Sequence, residues 1–206
     1  MDESPTVFVV DDEVGMRKSL QYLIESAGIP VRSFESATSF LNSVSSSAAG
    51  CLLLDIRMPG MTGMELQQKL FDNGNKIPII LITAHGEIRS AVQAMSLGAF
   101  DYIEKPVDGD VLINRIRLAL ELDEQTRRKH AAKRGFFERL EKLTRREREV
   151  YELVITGKQT KHVAADLDLS FKTVESHRSN IMRKMEVKSI TELIHIALSM
   201  AAEEKQ

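Results

Sequence analysis

The chain has 206 residues, 43% apolar and 28% charged, which suits one or two globular domains with substantial cores. No apolar run approaches the roughly 20 residues a membrane helix needs, and the acidic opening Met1-Asp2-Glu3-Ser4-Pro5 is no signal peptide, so the expectation is a soluble, cytoplasmic protein without membrane contact. The net charge of −2 hides a division: residues 1–125 carry 10 Lys and Arg against 18 Asp and Glu, whereas residues 126–206 carry 18 against 12. An acidic half suits a bound cation and a basic half suits a polyanion.

Strand and helix patterns alternate five times in the first half. Val7–Val10 forms an apolar strand that closes on the acid pair Asp11-Asp12, and Arg17–Ala27 follows with helical spacing. Val31–Phe34 precedes a helix over Ala37–Val44, and Cys51–Leu54 closes on Asp55 before a helix over Met64–Phe71. Ile77–Ile82 leads to Thr83 and a helix over Ile88–Leu97, and Phe100–Ile103 leads to Glu104-Lys105-Pro106 and a helix from about Asp108. Continuous apolar strands alternating with amphipathic helices predict a parallel sheet covered on both faces. The single cysteine, Cys51, reads as a small buried hydrophobe within its strand.

Parallel strands bring their C-terminal ends to one edge, where such folds place ligands. Three carboxylates meeting there raise one another's pKa unless a cation intervenes. A hard ion with oxygen ligands, Mg²⁺ above all, resolves the conflict and attracts a phosphoryl group. Thr83 and Lys105 then supply a hydroxyl and an ammonium to phosphoryl oxygens.

The acid pair, Asp55 before Met58-Pro59-Gly60, Thr83 and Lys105-Pro106 together resemble the receiver domain of two-component response regulators over residues 4–122. The resemblance implies a flavodoxin-like α/β fold of five parallel strands in the order 2-1-3-4-5. It makes Asp55 the phosphoacceptor, Asp11, Asp12, Asp55 and the Arg57 carbonyl the ligands of Mg²⁺ (or Mn²⁺), and Tyr102 an aromatic that turns inward with Thr83 on activation. It also implies a cis Lys105-Pro106 bond. A haloacid-dehalogenase-type phosphatase is the rival reading, but its nucleophile sits in Asp-x-Asp and here Arg57 stands two after Asp55. The expectation is therefore no enzyme beyond assistance to its own phosphorylation and dephosphorylation.

From Val107 to about Arg134 the chain reads as one helix whose apolar part packs on the sheet and whose basic part (Arg127-Arg128-Lys129-His130) projects as a linker. Gly135 offers a break. Thr144-Arg145-Arg146-Glu147 is a capping box that opens a helix ending at Gly157. Thr160 is expected to cap a second helix and Ser170 a third that runs to about Met185, and Ser189-Ile190-Thr191-Glu192 opens a fourth. The second and third helices describe a helix-turn-helix. On the third, Val174, His177, Ile181 and Met185 share the inner side, while Lys172, Glu175, Ser176 and Ser179 face the major groove. Arg178, Lys161, Thr173 and Lys184 are placed to reach phosphates. On the last helix Ile190, Leu193, Ile194, Ala197, Leu198 and Ala201 form the buried stripe, leaving Ile196 and Met200 beyond its edge as dimer candidates.

Leu143-Thr144-Arg145-Arg146-Glu147, Gly157 and Thr173-Val174-Glu175-Ser176-His177-Arg178 resemble the LuxR/FixJ/NarL-type DNA-binding domain, with the recognition helix nearest the FixJ pattern. The layout expected is a receiver over 1–122, a helical linker over 123–142 and an all-α four-helix DNA-binding domain over 143–206. The two resemblances imply a transcription factor phosphorylated on Asp55 by a sensor histidine kinase. It then forms a homodimer and binds double-stranded promoter DNA as an activator, with RNA polymerase as a further partner.

Overall fold

The computed structural model describes residues 4–84 and 88–202, with side chains described to Met200; Met1-Asp2-Glu3 and the side chain of Ala201 lie outside the described residues. The chain divides into two compact units, 1–127 and 128–206.

In the first unit, strands β1 (Thr6–Val10), β2 (Val31–Phe34), β3 (Gly50–Asp55), β4 (Ile79–Thr83) and β5 (Asp101–Glu104) form one parallel sheet in the order β2-β1-β3-β4-β5. Helices α1 (Val14–Ser26), α2 (Ala37–Ser43), α3 (Gly63–Asp72), α4 (Ile88–Ser96) and α5 (from Gly109) alternate with the strands. The period-two geometry of a strand sends alternate side chains to opposite faces. Phe8, Val10, Leu52 and Leu54 therefore enter one core with Phe40, Leu66 and Ala94 from α2, α3 and α4. Val7, Val9, Cys51 and Leu53 enter the other with Leu20, Ile24, Leu112 and Ile116 from α1 and α5. A sheet buried on both faces explains why its strands read as unbroken apolar runs. Strand β4 begins at Ile79, two residues after the expected Ile77, because Pro78 has no N–H for the ladder and offers only its carbonyl, which accepts from the Leu52 amide at 2.9 Å.

Cys51 is fully buried in β3, and burial, followed by the nearby Asp123 carboxylate, pushes its thiol up to about 12. The thiolate is the reactive form. Folded protein at pH 8 is expected to resist alkylation by iodoacetamide while unfolded protein reacts completely; alkylation at equal rates in both states would show that this part of β3 opens readily.

Helix α5 is continuous from Gly109 to Glu141, so the break expected at Gly135 does not occur. One interior glycine costs a helix only about 1 kcal/mol. That cost is outweighed here because Phe136 (4% exposed) and Leu140, just beyond it, are gathered into the core of the second unit. Of the basic stretch, Arg128, Lys129 and His130 are exposed, but Arg127 is held within the first unit. The buried Asp123 carboxylate accepts from the Gly50 amide (2.8 Å) and from Arg127 Nε (2.7 Å), and Arg127 also donates to the carbonyls of Ser47 (2.8 Å) and Ala48.

The second unit adds α6 (Arg145–Val154), α7 (Thr160–Asp166), α8 (Phe171–Met185) and α9 (Ile190–Ala202) around Val150, Val154, Val163, Val174, Ile181, Met185 and Leu193. The capping box of α6 forms as expected: Thr144 Oγ1 accepts from the Glu147 amide, and the Glu147 carboxylate accepts from the Thr144 amide. Ser170 caps α8 by accepting from the Thr173 amide. Thr160 does not cap α7. The N-cap is Gln159, and Thr160 is the first helical residue, its hydroxyl directed to α8 instead. The box expected at Ser189 forms in shifted register: Ser189 Oγ accepts from the Glu192 amide, but the Glu192 carboxylate accepts from the Lys188 amide.

Candidate functional site

The strand order sets β1, β3, β4 and β5 side by side, so Asp11, Asp55, Thr83 and Lys105 follow one another along the C-terminal edge of the sheet. Asp55, the last residue of β3, is 8% exposed, and Asp11 and Thr83 are each 2% exposed. The Lys105 ammonium donates to Asp55 Oδ1 at 2.7 Å and to Asp11 Oδ2 at 3.1 Å, bridging the two carboxylates. The second oxygen of each is held from the backbone: Asp55 Oδ2 accepts from the Arg57 amide and Asp11 Oδ1 from the Glu13 amide, both at 2.8 Å. Lys105 is positioned by its own amide, which donates to the Thr83 carbonyl at 2.7 Å, and its bond to Pro106 is cis.

Burial raises the Asp55 carboxyl above the ordinary carboxylate range, and the Asp11 charge adds to this, while the Lys105 bond and the Arg57 amide offset only part. Burial would lower Lys105, but its bonds to Asp55 and Asp11 more than reverse that, and its ammonium is held above the ordinary lysine value. The site is thus a half-neutralised anionic pocket that favours an added positive charge.

Two features correct the expectation of three converging carboxylates. Asp12 is exposed, one residue beyond the buried Asp11, because neighbouring residues leaving a strand point opposite ways. Among the described residues no three His, Cys, Asp or Glu side chains converge as a metal cage. Arg57 is exposed, and Tyr102 is half-buried against the core formed by Phe8, Leu54 and Leu81. Two contributors escaped the sequence reading. Gly63 opens α3 so close to the strand end that a Cβ there would meet the Asp55 carbonyl oxygen at 2.2 Å, and Arg17 donates to the Asp11 carbonyl at 2.7 Å. Gly63 lies in a recognisable turn-to-helix segment, but its packing partner is distant from any local pattern.

In the second unit α7 and α8 are joined by a tight turn in which Asp168 takes a left-handed conformation (φ 53°). Val174, Ile181 and Met185 are buried and His177 is half-buried, while Lys172, Glu175, Ser176 and Ser179 stand exposed on the other side of α8, with Lys161 exposed on α7 and Thr173 half-buried. Thr160 Oγ1 donates to Glu175 Oε1 (2.7 Å) and accepts from Arg178 Nη1 (3.0 Å), fixing the Arg178 guanidinium to the α7 N-terminus. Lys184 departs from expectation: its ammonium donates to the buried Glu147 carboxylate (2.7 Å) and to the Lys142 carbonyl (3.0 Å). It closes the α6 cap and presents no free charge to a phosphate. On α9 the stripe is rotated from the one expected. Leu193 and Ala197 are buried with Ile196 and Met200 packed against the same core, and Leu198 is 61% exposed. Ile196 and Met200 lie three and seven residues after the buried Leu193, close to one and two turns, and so return to its face.

Comparison with known proteins places these features. Residues 7–117 match the response regulator receiver domain and residues 141–197 match the bacterial regulatory proteins of the luxR family. The chain is 42% identical over 195 residues to the response regulator protein TodT of Pseudomonas putida, spanning 95% of this chain and 86% of TodT. It is 41% identical over 194 residues to the transcriptional regulatory protein FixJ of Rhizobium meliloti, spanning 94% of this chain and 95% of FixJ. The solved structure of the response regulator StyR is similar with a TM-score of 0.88 at 40% identity, covering 96% of this chain and all of StyR. A receiver on the sheet edge of the first unit and a luxR-type domain in the second identify the chain as a member of the two-component response regulators that regulate transcription through a LuxR-type DNA-binding domain.

Proposed function

We propose that a sensor histidine kinase phosphorylates Asp55 and that the modified protein, as a homodimer, binds promoter DNA and activates transcription with RNA polymerase. The observation that carries the first step is the Lys105 ammonium bridging Asp55 and Asp11 at the sheet edge. In the transfer an Asp55 carboxylate oxygen attacks the phosphorus of a phosphohistidine, the P–N bond breaks, the P–O bond forms, and the imidazole leaves. Lys105 exchanges its contact with Asp55 for a phosphoryl oxygen, and Thr83 donates to another. Asp11, Asp55 and the Arg57 carbonyl would hold Mg²⁺ (or Mn²⁺), with Asp12, exposed beside Asp11, joining them by turning its side chain to the ion. The raised Asp55 carboxyl fits such an ion, which binds through few protein oxygens and supplies charge to the phosphoryl oxygens. Tyr102 turning further inward with Thr83 is the proposed switch.

On DNA, Lys172, Glu175, Ser176 and Ser179 face the groove, with Lys161, Thr173 and Arg178 at phosphates. Because Glu175 shares Thr160 with Arg178, its role includes orienting that arginine. A second contact between DNA-binding units falls on α9 at the exposed Leu198, while Ile196 and Met200, on the opposite side of the helix, pack against the core of their own unit.

Acetyl phosphate with Mg²⁺ is expected to add one hydroxylamine-labile phosphoryl group and to tighten binding to a duplex selected from a random pool. Labelling without any change in DNA affinity would separate the receiver from its output and overturn the proposal. Arg178→Ala is expected to weaken all duplexes alike and to lower the salt slope by about 0.9, one phosphate contact. Ser176→Ala should instead alter preference at one base pair; equal losses on all sequences would take Ser176 out of the groove.

A further inference from the structure

The recognition helix begins with a residue that neither the core nor the polar groove face uses. Phe171 is the first residue of α8 and is 58% exposed. The apolar needs of this turn are met around it, since Leu169 packs against the core and Val174 is fully buried within it. The turn itself is well held: Ser170 Oγ accepts from the Thr173 amide at 3.1 Å and lies 2.7 Å from the Thr173 hydroxyl. Phe171 precedes Glu175 by four residues, so the two are neighbours on one helix face, and Lys172 is exposed beside it.

Resting on the reading of α8 as the helix that enters the major groove, we infer that Phe171 reads a thymine by covering its C5 methyl group. The N-terminal residues of a recognition helix are those that reach base edges. The thymine methyl is the apolar group that B-DNA displays in that groove. Contact between ring and methyl removes water from both apolar surfaces, while Lys172 keeps the surrounding potential favourable to the phosphates. Specificity gained in this way needs no hydrogen bond, so it adds to the polar readout by Ser176 and Ser179 without competing for donors.

The test uses full-length protein treated with acetyl phosphate and Mg²⁺, and a duplex that the wild type selects from a random pool. Each thymine of that duplex is replaced in turn by uracil, which lacks only the methyl, and affinities are read by fluorescence anisotropy. The wild type is expected to bind about three- to fivefold more weakly when the contacted thymine of a single half-site is replaced, as loss of one buried methyl predicts. Phe171→Ala should be insensitive at that position, and Phe171→Leu should recover part of the sensitivity. Circular dichroism checks that both variants keep the wild-type helix content. Identical uracil profiles for wild type and Phe171→Ala would overturn the inference and leave Phe171 against sugar or protein. If the wild type enriches no duplex from the pool, the DNA reading itself falls, and this inference falls with it.

Discussion

Asp55→Asn is expected to abolish phosphoryl transfer from acetyl phosphate and, at neutral pH, to raise the melting temperature. The first effect follows from chemistry: an amide oxygen does not form the acyl phosphate, so the substitution removes the group that the phosphorus must bond. The second follows from the cost of an ionised Asp55. Its carboxyl is raised by burial and by the Asp11 charge, against the partial compensation of Lys105 and the Arg57 amide. A carboxyl raised in the folded state binds its proton more tightly there than in the unfolded chain. The folded state is thus favoured below the ordinary carboxylate range, and that advantage is lost as pH rises through the folded value. Asparagine carries no charge at any pH, so its gain appears at neutral pH and vanishes in acid. Relief of a poorly compensated buried charge is worth on the order of 1 kcal/mol, or roughly 2–4 °C for a chain of this size. Thermal melts at pH 7 and pH 4 check the sign. An equal gain at both pH values would trace the effect to shape and not to charge, and a hydroxylamine-labile label on Asp55→Asn would remove the phosphoacceptor assignment.

What could be read in advance follows the range of the interactions involved. The sheet was legible because a strand buried on both faces must be apolar throughout, and the site followed because a parallel sheet collects its strand ends on one edge. Thr144 with Glu147 and Ser170 with Thr173 were legible for the same reason of locality: each cap is completed within four residues. Contacts that join distant segments were not legible. Thr160 has the composition of a cap, yet its hydroxyl bridges Glu175 and Arg178, fifteen and eighteen residues away. Gly135 has the composition of a break, yet burial of Phe136 in the second unit carries the helix through it. Asp123 looks like one more charge on a polar helix, and only the fold shows it closing on the Gly50 amide, 73 residues earlier. On α9 the pattern was present but its phase was misjudged. A helix rich in apolar residues offers several stripes, and packing selected the one through Leu193, Ala197 and Met200 over the one through Leu198.

Lys184→Ala is expected to destabilise the DNA-binding unit by about 2–3 kcal/mol while leaving the salt dependence of DNA binding unchanged. Its ammonium is the cation that faces Glu147, a carboxylate 5% exposed whose other partners are the Thr144 amide (2.8 Å) and hydroxyl (3.0 Å). Burial raises the Glu147 carboxyl, but the Lys184 bond together with the two Thr144 bonds prevails and holds it below the ordinary carboxylate range. The folded state therefore gains stability above the ordinary carboxylate range, and the gain disappears as pH falls through the depressed folded value. Removing Lys184 leaves a buried charge with neutral donors alone, and breaking such a pair commonly costs about 3–5 kcal/mol; the partial exposure of the Lys184 side chain, 26%, reduces that figure. Glu147→Ala removes the pair and the carboxylate half of the α6 capping box, leaving the Thr144 hydroxyl on the backbone amide, and should cost about 3 kcal/mol at neutral pH, with a smaller difference from wild type in acid. The double variant should be less destabilised than the sum of the two single ones, because each single change already breaks the same contact. Urea melts of the four proteins at pH 7 and pH 4 measure these terms, and titrations of a fixed duplex at several salt concentrations measure the slope. A Lys184→Ala protein of wild-type stability whose salt slope falls by about 0.9 would restore Lys184 to the phosphate backbone and leave Glu147 held by the α6 cap alone.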